Sequence, residues 1–208
     1  MPVTLRSALL HPLAKPLVFV LCLLPLAWLV WGAATDQLGA NPAEALIRGL
    51  GDWTLRFLCL ALAVTPLRLH TRTPQLARYR RMLGLFVFFY ACLHLLAYGW
   101  LDMGLQVADI GRDILKRPFI LVGFACWLLL LPLALTSTNR AVRALGGRAW
   151  QTLHRLVYLV AGLALLHFFW MRSGKNDYAE VALYAAIIGV LLLERLFRYL
   201  KPRGVASR

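Results

Sequence analysis

The chain has 208 residues, 61% of them hydrophobic and 15% charged, with a mean hydropathy of +0.68 and a formal net charge of +14. Such apolarity lies far from the average of soluble domains and excludes a water-soluble globular enzyme. It also makes the basic excess a matter of membrane topology and lipid headgroups, so nucleic acid is set aside as a partner.

A bilayer-crossing helix takes roughly 20 mostly apolar residues. Six runs meet that need, at about 16–32, 50–67, 82–101, 118–135, 152–170 and 178–197. The expected fold class is therefore all-α, a polytopic membrane bundle of six transmembrane helices forming a single domain over 1–208. The first run follows a short basic tail. Its reading as a cleaved leader is opposed by Lys15 and Pro16, which sit directly before the apolar stretch. The second opens on "GLGDWT", where Asp52 favours the positive end of a helix, and carries Arg56 about one turn in. The third begins after Arg80 and Arg81 and holds His94, flanked by Tyr90 and Tyr98. The fourth follows "KRPF", and the fifth holds both His154 and His167. The sixth contains Glu194, the one acid even a turn inside a span.

Orientation follows from the cations. Arg6 and Lys15, the second and fourth loops, and the C-terminal tail together place fifteen Lys and Arg on one side. The other side has six: Arg48, Arg112, Lys116, Arg117, Arg172 and Lys175. The positive-inside rule then sets both termini in the cytoplasm, and that end of the bundle is called inner below. Trp28, Trp31, Trp53, Trp100 and Trp170 fall near outer ends, as an aromatic belt does. Cys22, Cys59, Cys92 and Cys126 have no paired spacing and read as small packing residues.

Polar groups inside a bilayer are costly and face the bundle interior. At about 1.5 Å per residue, His94 stands ~18 Å above the start of its span and His167 stands ~20 Å above His154. His94 and His167 thus lie at similar depth on two helices and can take the two faces of one haem iron, an arrangement suited to electron transfer. Thirteen residues of helix leave His154 roughly 140° away from His167 around the axis. Gly162 offers a place for a bend. The use expected of His154 is a second haem nearer the cytoplasm. The position facing it on the third helix carries Arg80 and Arg81, which are poor iron ligands but suitable partners for a haem propionate. Arg56 is a weaker candidate for an outer propionate, since snorkelling also explains it.

Four segments, "GDWTLRFLCLALAVTPLR", "RRMLGLFVFFYACLHLLAY", "KRPFILVGF" and "LALTSTNRAVRALGGRAWQTLHRLVY", followed by His167, resemble the ferric-reductase-like transmembrane family. The resemblance spans residues 45 to 170 and is strongest to its branch of haem-binding membrane subunits that serve bacterial periplasmic methionine sulfoxide reductases. It implies a b-type haem protein of the inner membrane, with haem-ligand positions at His94, His154 and His167. Such a protein would carry electrons outward to a periplasmic molybdopterin catalytic subunit. It also implies FMN, for which no site is recognisable. The wider family's oxidases carry two His on the third helix, and here arginine stands in place of the inner one. Those oxidases also continue into a cytoplasmic flavin and nicotinamide domain, and this chain stops eleven residues after its sixth run. An external donor is therefore expected, either the quinone pool or a cytoplasmic flavin reductase, with substrate reduction left to the partner. The competing readings are a small proton-coupled transporter or a non-redox assembly subunit. A proton-coupled transporter would be expected to show more intramembrane carboxylates than Glu194. A quinol-linked cytochrome b of another fold also satisfies the histidine depths, and the ordered motifs argue against it.

Overall fold

The computed structural model describes residues 3–173 and 176–201, with side chains from Ser7 onward. Of the cations counted above, Lys175, Arg203, Arg208 and the side chain of Arg6 lie outside that description. The described chain is helical throughout: α1 (Val3–Leu10), α2 (Ala14–Ala34), α3 (Pro42–His70), α4 (Ala77–Ala97), α5 (Val107–Lys116), α6 (Pro118–Leu135), α7 (Asn139–Leu145), α8 (Gly147–His154), α9 (Leu156–Ser173) and α10 (Ala179–Leu200). A short 3-10 turn (Pro74–Leu76) precedes α4, and a π turn (Tyr98–Asp102) extends it.

Five of these stretches are long and apolar enough to cross a membrane: α2, α3, α4 with its flanking turns, α6, and α8 together with α9. The sixth expected span, α10, falls short on charge. Every 18-residue window of it contains at least three of Glu180, Glu194, Arg195 and Arg198. The second run extends further than its apolar core suggests. Asn41 caps α3 by accepting the Glu44 amide, and Pro42 starts the helix eight residues before Leu50.

The fifth run departs from expectation. It is broken at Arg155, whose N–H turns back to Thr152, while Tyr158 N–H bonds the Arg155 carbonyl. These three-residue bonds tighten the backbone for one turn. The bend lies immediately after His154, and Gly162 sits exposed in regular helix.

The packing is cyclic. α3 pairs with α4, α4 touches α6, α6 pairs with α9, and α10 closes the ring between α9 and α3. α2 lies outside on α3 and α4. Phe57, Phe86 and Tyr90 stack at its root. The Tyr90 hydroxyl accepts the Leu26 N–H at 3.1 Å and donates to the Cys22 carbonyl at 2.8 Å, two groups that pair directly in a regular helix. It bridges the gap beside Pro25, which cannot donate. Tyr90 therefore anchors α2 and offers nothing to a site near His94. Trp28, Trp31 and Trp100 are exposed as a belt requires, and Trp53 instead packs on the core beneath Arg56. Cys22, Cys59 and Cys126 are buried, and all four cysteines are free.

Candidate cofactor site

Two chambers lie between the helices, one toward each end. The outer one, of about 470 Å³, runs between α3, α4, α6 and α9 and is lined by His94 and His167. Their ring centres stand 6.2 Å apart with planes at 75°. The equal depth expected from residue counting is what the structure has.

Both imidazoles are seated in the same way. His94 Nδ1 donates to the Ile47 carbonyl at 2.8 Å, and the ring lies over Gly51. His167 Nδ1 donates to the Phe119 carbonyl at 2.6 Å, and the ring lies over Gly123. In each case the glycine is four residues after the carbonyl, where a side chain would stand between ring and acceptor. A Cβ on Gly51 would come within 3.1 Å of His94 Cε1, and one on Gly123 within 2.8 Å of His167 Cε1. Because a carbonyl only accepts, each ring carries its proton on Nδ1 and leaves Nε2 bare. That is the tautomer a metal-binding histidine needs, with its other nitrogen tied to a backbone carbonyl.

Such a pair can hold a metal ion from two sides. Two metal–nitrogen bonds of about 2 Å, plus the near half of each ring, put ring centres about 6 Å apart, close to the observed spacing. The chamber walls are apolar (Leu55, Leu58, Ala91, Phe124, Leu130, Val160), and its volume is in the range of cofactor pockets, roughly 300–1,000 Å³. The donor set and the walls fit haem.

The chamber's polar lining consists chiefly of Glu44, Arg48, Asp52, Asp102 and Arg117. Arg117 pairs with Asp113, whose carboxylate also accepts the Tyr98 hydroxyl at 2.5 Å. The Arg117 bond holds the Asp113 carboxyl below its usual range. Tyr98 thus lines the chamber with its hydroxyl already engaged. Arg56 is absent from the lining: it lies over Trp53 and donates to the Tyr184 hydroxyl on α10 at 3.1 Å.

The inner chamber, of about 600 Å³, is lined by His154 together with Arg80, Arg81, Arg155, Arg195 and Arg198, and by no acidic residue among those described. Its floor is Leu58, Val87 and Leu130, which also line the outer chamber, so one layer of side chains separates the two. His154 stacks on Trp150 at 3.9 Å, and its Nε2 lies 3.1 Å from Thr136 Oγ1. That hydroxyl gives its own proton to the Pro132 carbonyl at 2.6 Å, so Nε2 must be the donor. His154 is therefore the opposite tautomer from the other two. Gly84 opens directly onto this space. Sequence reading found the three histidines and Arg80, and missed Gly51, Thr136 and Arg117. The signal for the first was a glycine four residues after an apolar residue in "IRGLG", repeated as "FILVG" on α6.

A ring of apolar helices long enough to cross a membrane, closed around a chamber with two facing histidine rings, defines the class: an all-helical membrane protein with a paired-histidine site. A family model described as "Ferric reductase like transmembrane component" matches residues 49–165. The protein of Polaromonas naphthalenivorans (strain CJ2) named "Protein-methionine-sulfoxide reductase heme-binding subunit MsrQ" is 66% identical over 191 residues, covering 92% of this chain and 87% of the relative. Proteins of the same name from Herminiimonas arsenicoxydans (52% identical; 89% and 85% covered) and Bordetella pertussis (50%; 92% and 93%) are similarly related. The chain belongs to the ferric reductase-like transmembrane family and, within it, to the MsrQ group.

Proposed function

We propose that this chain is the haem-bearing electron conduit of a methionine sulfoxide reductase system, set in the bacterial inner membrane with six spans and both termini in the cytoplasm. The observation that carries the reading is the matched seating of His94 and His167, each bonded through Nδ1 to a backbone carbonyl and lining the same largely apolar chamber with ring centres 6.2 Å apart. A haem held there would supply a one-electron carrier, and ligation by both histidines would suit it to electron transfer. His94 and His167 hold the iron, the Ile47 and Phe119 carbonyls fix their tautomers, and the apolar walls exclude water. The electrons pass to a periplasmic molybdopterin catalytic subunit, where sulfoxide is reduced. They enter from the quinone pool or a cytoplasmic flavin reductase.

His154 and Arg80 belong to the inner chamber, where a second haem would bring its propionates to the arginines. His154 would join by carrying its ring proton on Nδ1 instead of Nε2 and exchanging the Thr136 hydroxyl for iron. A second reading of that chamber is FMN, favoured by five guanidinium groups suited to a phosphate.

The test is a reduced-minus-oxidised spectrum of the purified protein with haem counted per chain, alongside His94→Ala, His154→Ala and His167→Ala. The conduit requires loss of the same haem in His94→Ala and His167→Ala. A second haem lost in His154→Ala supports the two-haem arrangement, and flavin released without a second haem supports FMN. A wild-type protein without haem would return the chain to the transporter or assembly reading.

A further inference from the structure

The segment "KRPF" precedes α6 and has no part in the function as stated, although it supplies the Phe119 carbonyl that holds His167. Its arginine is built into the outer chamber. Arg117 lines that space, lies over the Phe119 ring at 5.6 Å and is tied through one terminal nitrogen to Asp113. Asp113 is in turn held by the Tyr98 hydroxyl, in the π turn one helical turn beyond His94. The guanidinium is thus fixed by Asp113 of α5, which is itself held by the π turn that extends the His94 helix. Of the five N–H donors of Arg117, the one on Nε is buried and has no hydrogen-bond partner, in a side chain that is 40% exposed overall. A buried guanidinium N–H without an acceptor is costly in a protein, and a ligand carboxylate at the chamber mouth would relieve that cost.

We propose that Arg117 is the anchor for a porphyrin carboxylate in the outer chamber, with Asp113 and Tyr98 as the positioning residues that aim it. The proposal rests on the outer-haem reading above and replaces Arg56, which points to α10. An apolar macrocycle enters between the four helices with its iron between the imidazoles, and one carboxylate meets the fixed Nε–H at the rim. The Asp113 pair keeps the cation from swinging away when the chamber is empty.

The test compares iron protoporphyrin IX with its dimethyl ester, which has the same ring and iron but no carboxylate. Each is loaded into full-length protein in detergent, and transfer to an excess of a soluble apo-globin is followed by absorbance. Arg117→Gln should speed release of the free-acid porphyrin about tenfold or more, the scale of a charge-assisted hydrogen bond, and leave release of the ester unchanged. Arg117→Lys should recover part of the loss, and Asp113→Asn and Tyr98→Phe should give smaller effects confined to the free acid. Equal acceleration of both porphyrins, or of neither, overturns the anchor. Should Arg117→Gln fail to fold, Asp113→Asn and Tyr98→Phe decide by the same criterion. Failure of the underlying reading looks different: haem content would then be unaffected by His94→Ala and His167→Ala.

Discussion

At the scale of single residues, the two glycine seats carry the sharpest expectation. Gly123→Ala would set a methyl 2.8 Å from a ring atom of His167 and 2.9 Å from the nitrogen that bonds Phe119. The ring must then leave its carbonyl. Gly51→Ala makes the milder approach of 3.1 Å to His94. Losing such an orienting partner costs typically 10–100-fold in metal affinity. Haem retained per chain after purification should accordingly fall in Gly123→Ala, and less in Gly51→Ala. Retention equal to wild type in both would show that the seats are slack. The histidines themselves were legible in the sequence because imidazoles stand out in an apolar run. Of the seats, Gly123 stood out, with Gly84, only as a place where a helix or a haem could come close, and Gly51 did not, since glycine is common in membrane helices and its use depends on which neighbour crosses it. Register along one helix predicts depth; it does not predict which backbone carbonyl a ring meets on the next.

At the scale of elements, α10 explains its own charge. The Leu62 carbonyl on α3 has no amide to accept from four residues on, because that position is Pro66. Arg195 of α10 fills the vacancy at 2.6 Å, while its guanidinium lies over Tyr158. Further along, Glu194 meets His70 of α3 at 2.8 Å. Two of the residues that make α10 too polar by composition, Glu194 and Arg195, join it to α3, while Glu180 pairs with Arg172 of α9. Arg195→Met would strand the carbonyl and should destabilise the bundle by about 1–3 kcal/mol, the cost of an unmade buried hydrogen bond. Thermal unfolding in detergent measures it, and an unchanged midpoint would mean that water or lipid serves that carbonyl instead. The loop end of α5 has a pH dependence of known sign. Asp113 is held below its ordinary carboxylate pKa by Arg117, so its contribution is complete at neutral pH and lost as pH falls below about 4. The gap in thermal midpoint between wild type and Asp113→Asn should therefore be largest near neutrality and close in acid. The sequence placed this segment outside the membrane, and the four-residue spacing of Asp113 and Arg117 makes their pair local to the end of α5; what loop composition does not reveal is that Tyr98 of the π turn reaches Asp113. The break at Arg155 was likewise hidden. Two apolar stretches in phase read as one helix, and the departure lies in two backbone hydrogen bonds.

At the scale of the whole molecule, the two chambers are chemically unlike. The outer one is apolar with a mixed rim, and the inner one is ringed by guanidinium groups. That contrast was partly visible as the asymmetry of Lys and Arg between loops. The side-chain grouping of Arg195 and Arg198 with Arg80 depends on α10 closing the ring, which charge counting does not show. Between the chambers stand Leu58, Val87 and Leu130, a wall one side chain thick. In the proposed conduit such a wall is thin to a tunnelling electron and apolar to a hydrated ion, so the current would be carried by electrons alone. On the proposed topology, every electron moved outward would leave the cytoplasm one unit more positive, at about 2.3 kcal/mol per 100 mV of membrane voltage. In a cell negative inside, that voltage drives the transfer forward and is itself discharged by it. In sealed vesicles with reductant inside and an impermeant oxidant outside, the flow should therefore stall after a brief pulse and resume when a potassium ionophore is added. Flow indifferent to the ionophore would mean that the leucine–valine wall leaks ions. Methionine repair by such a route would draw on the same voltage that powers the rest of the membrane.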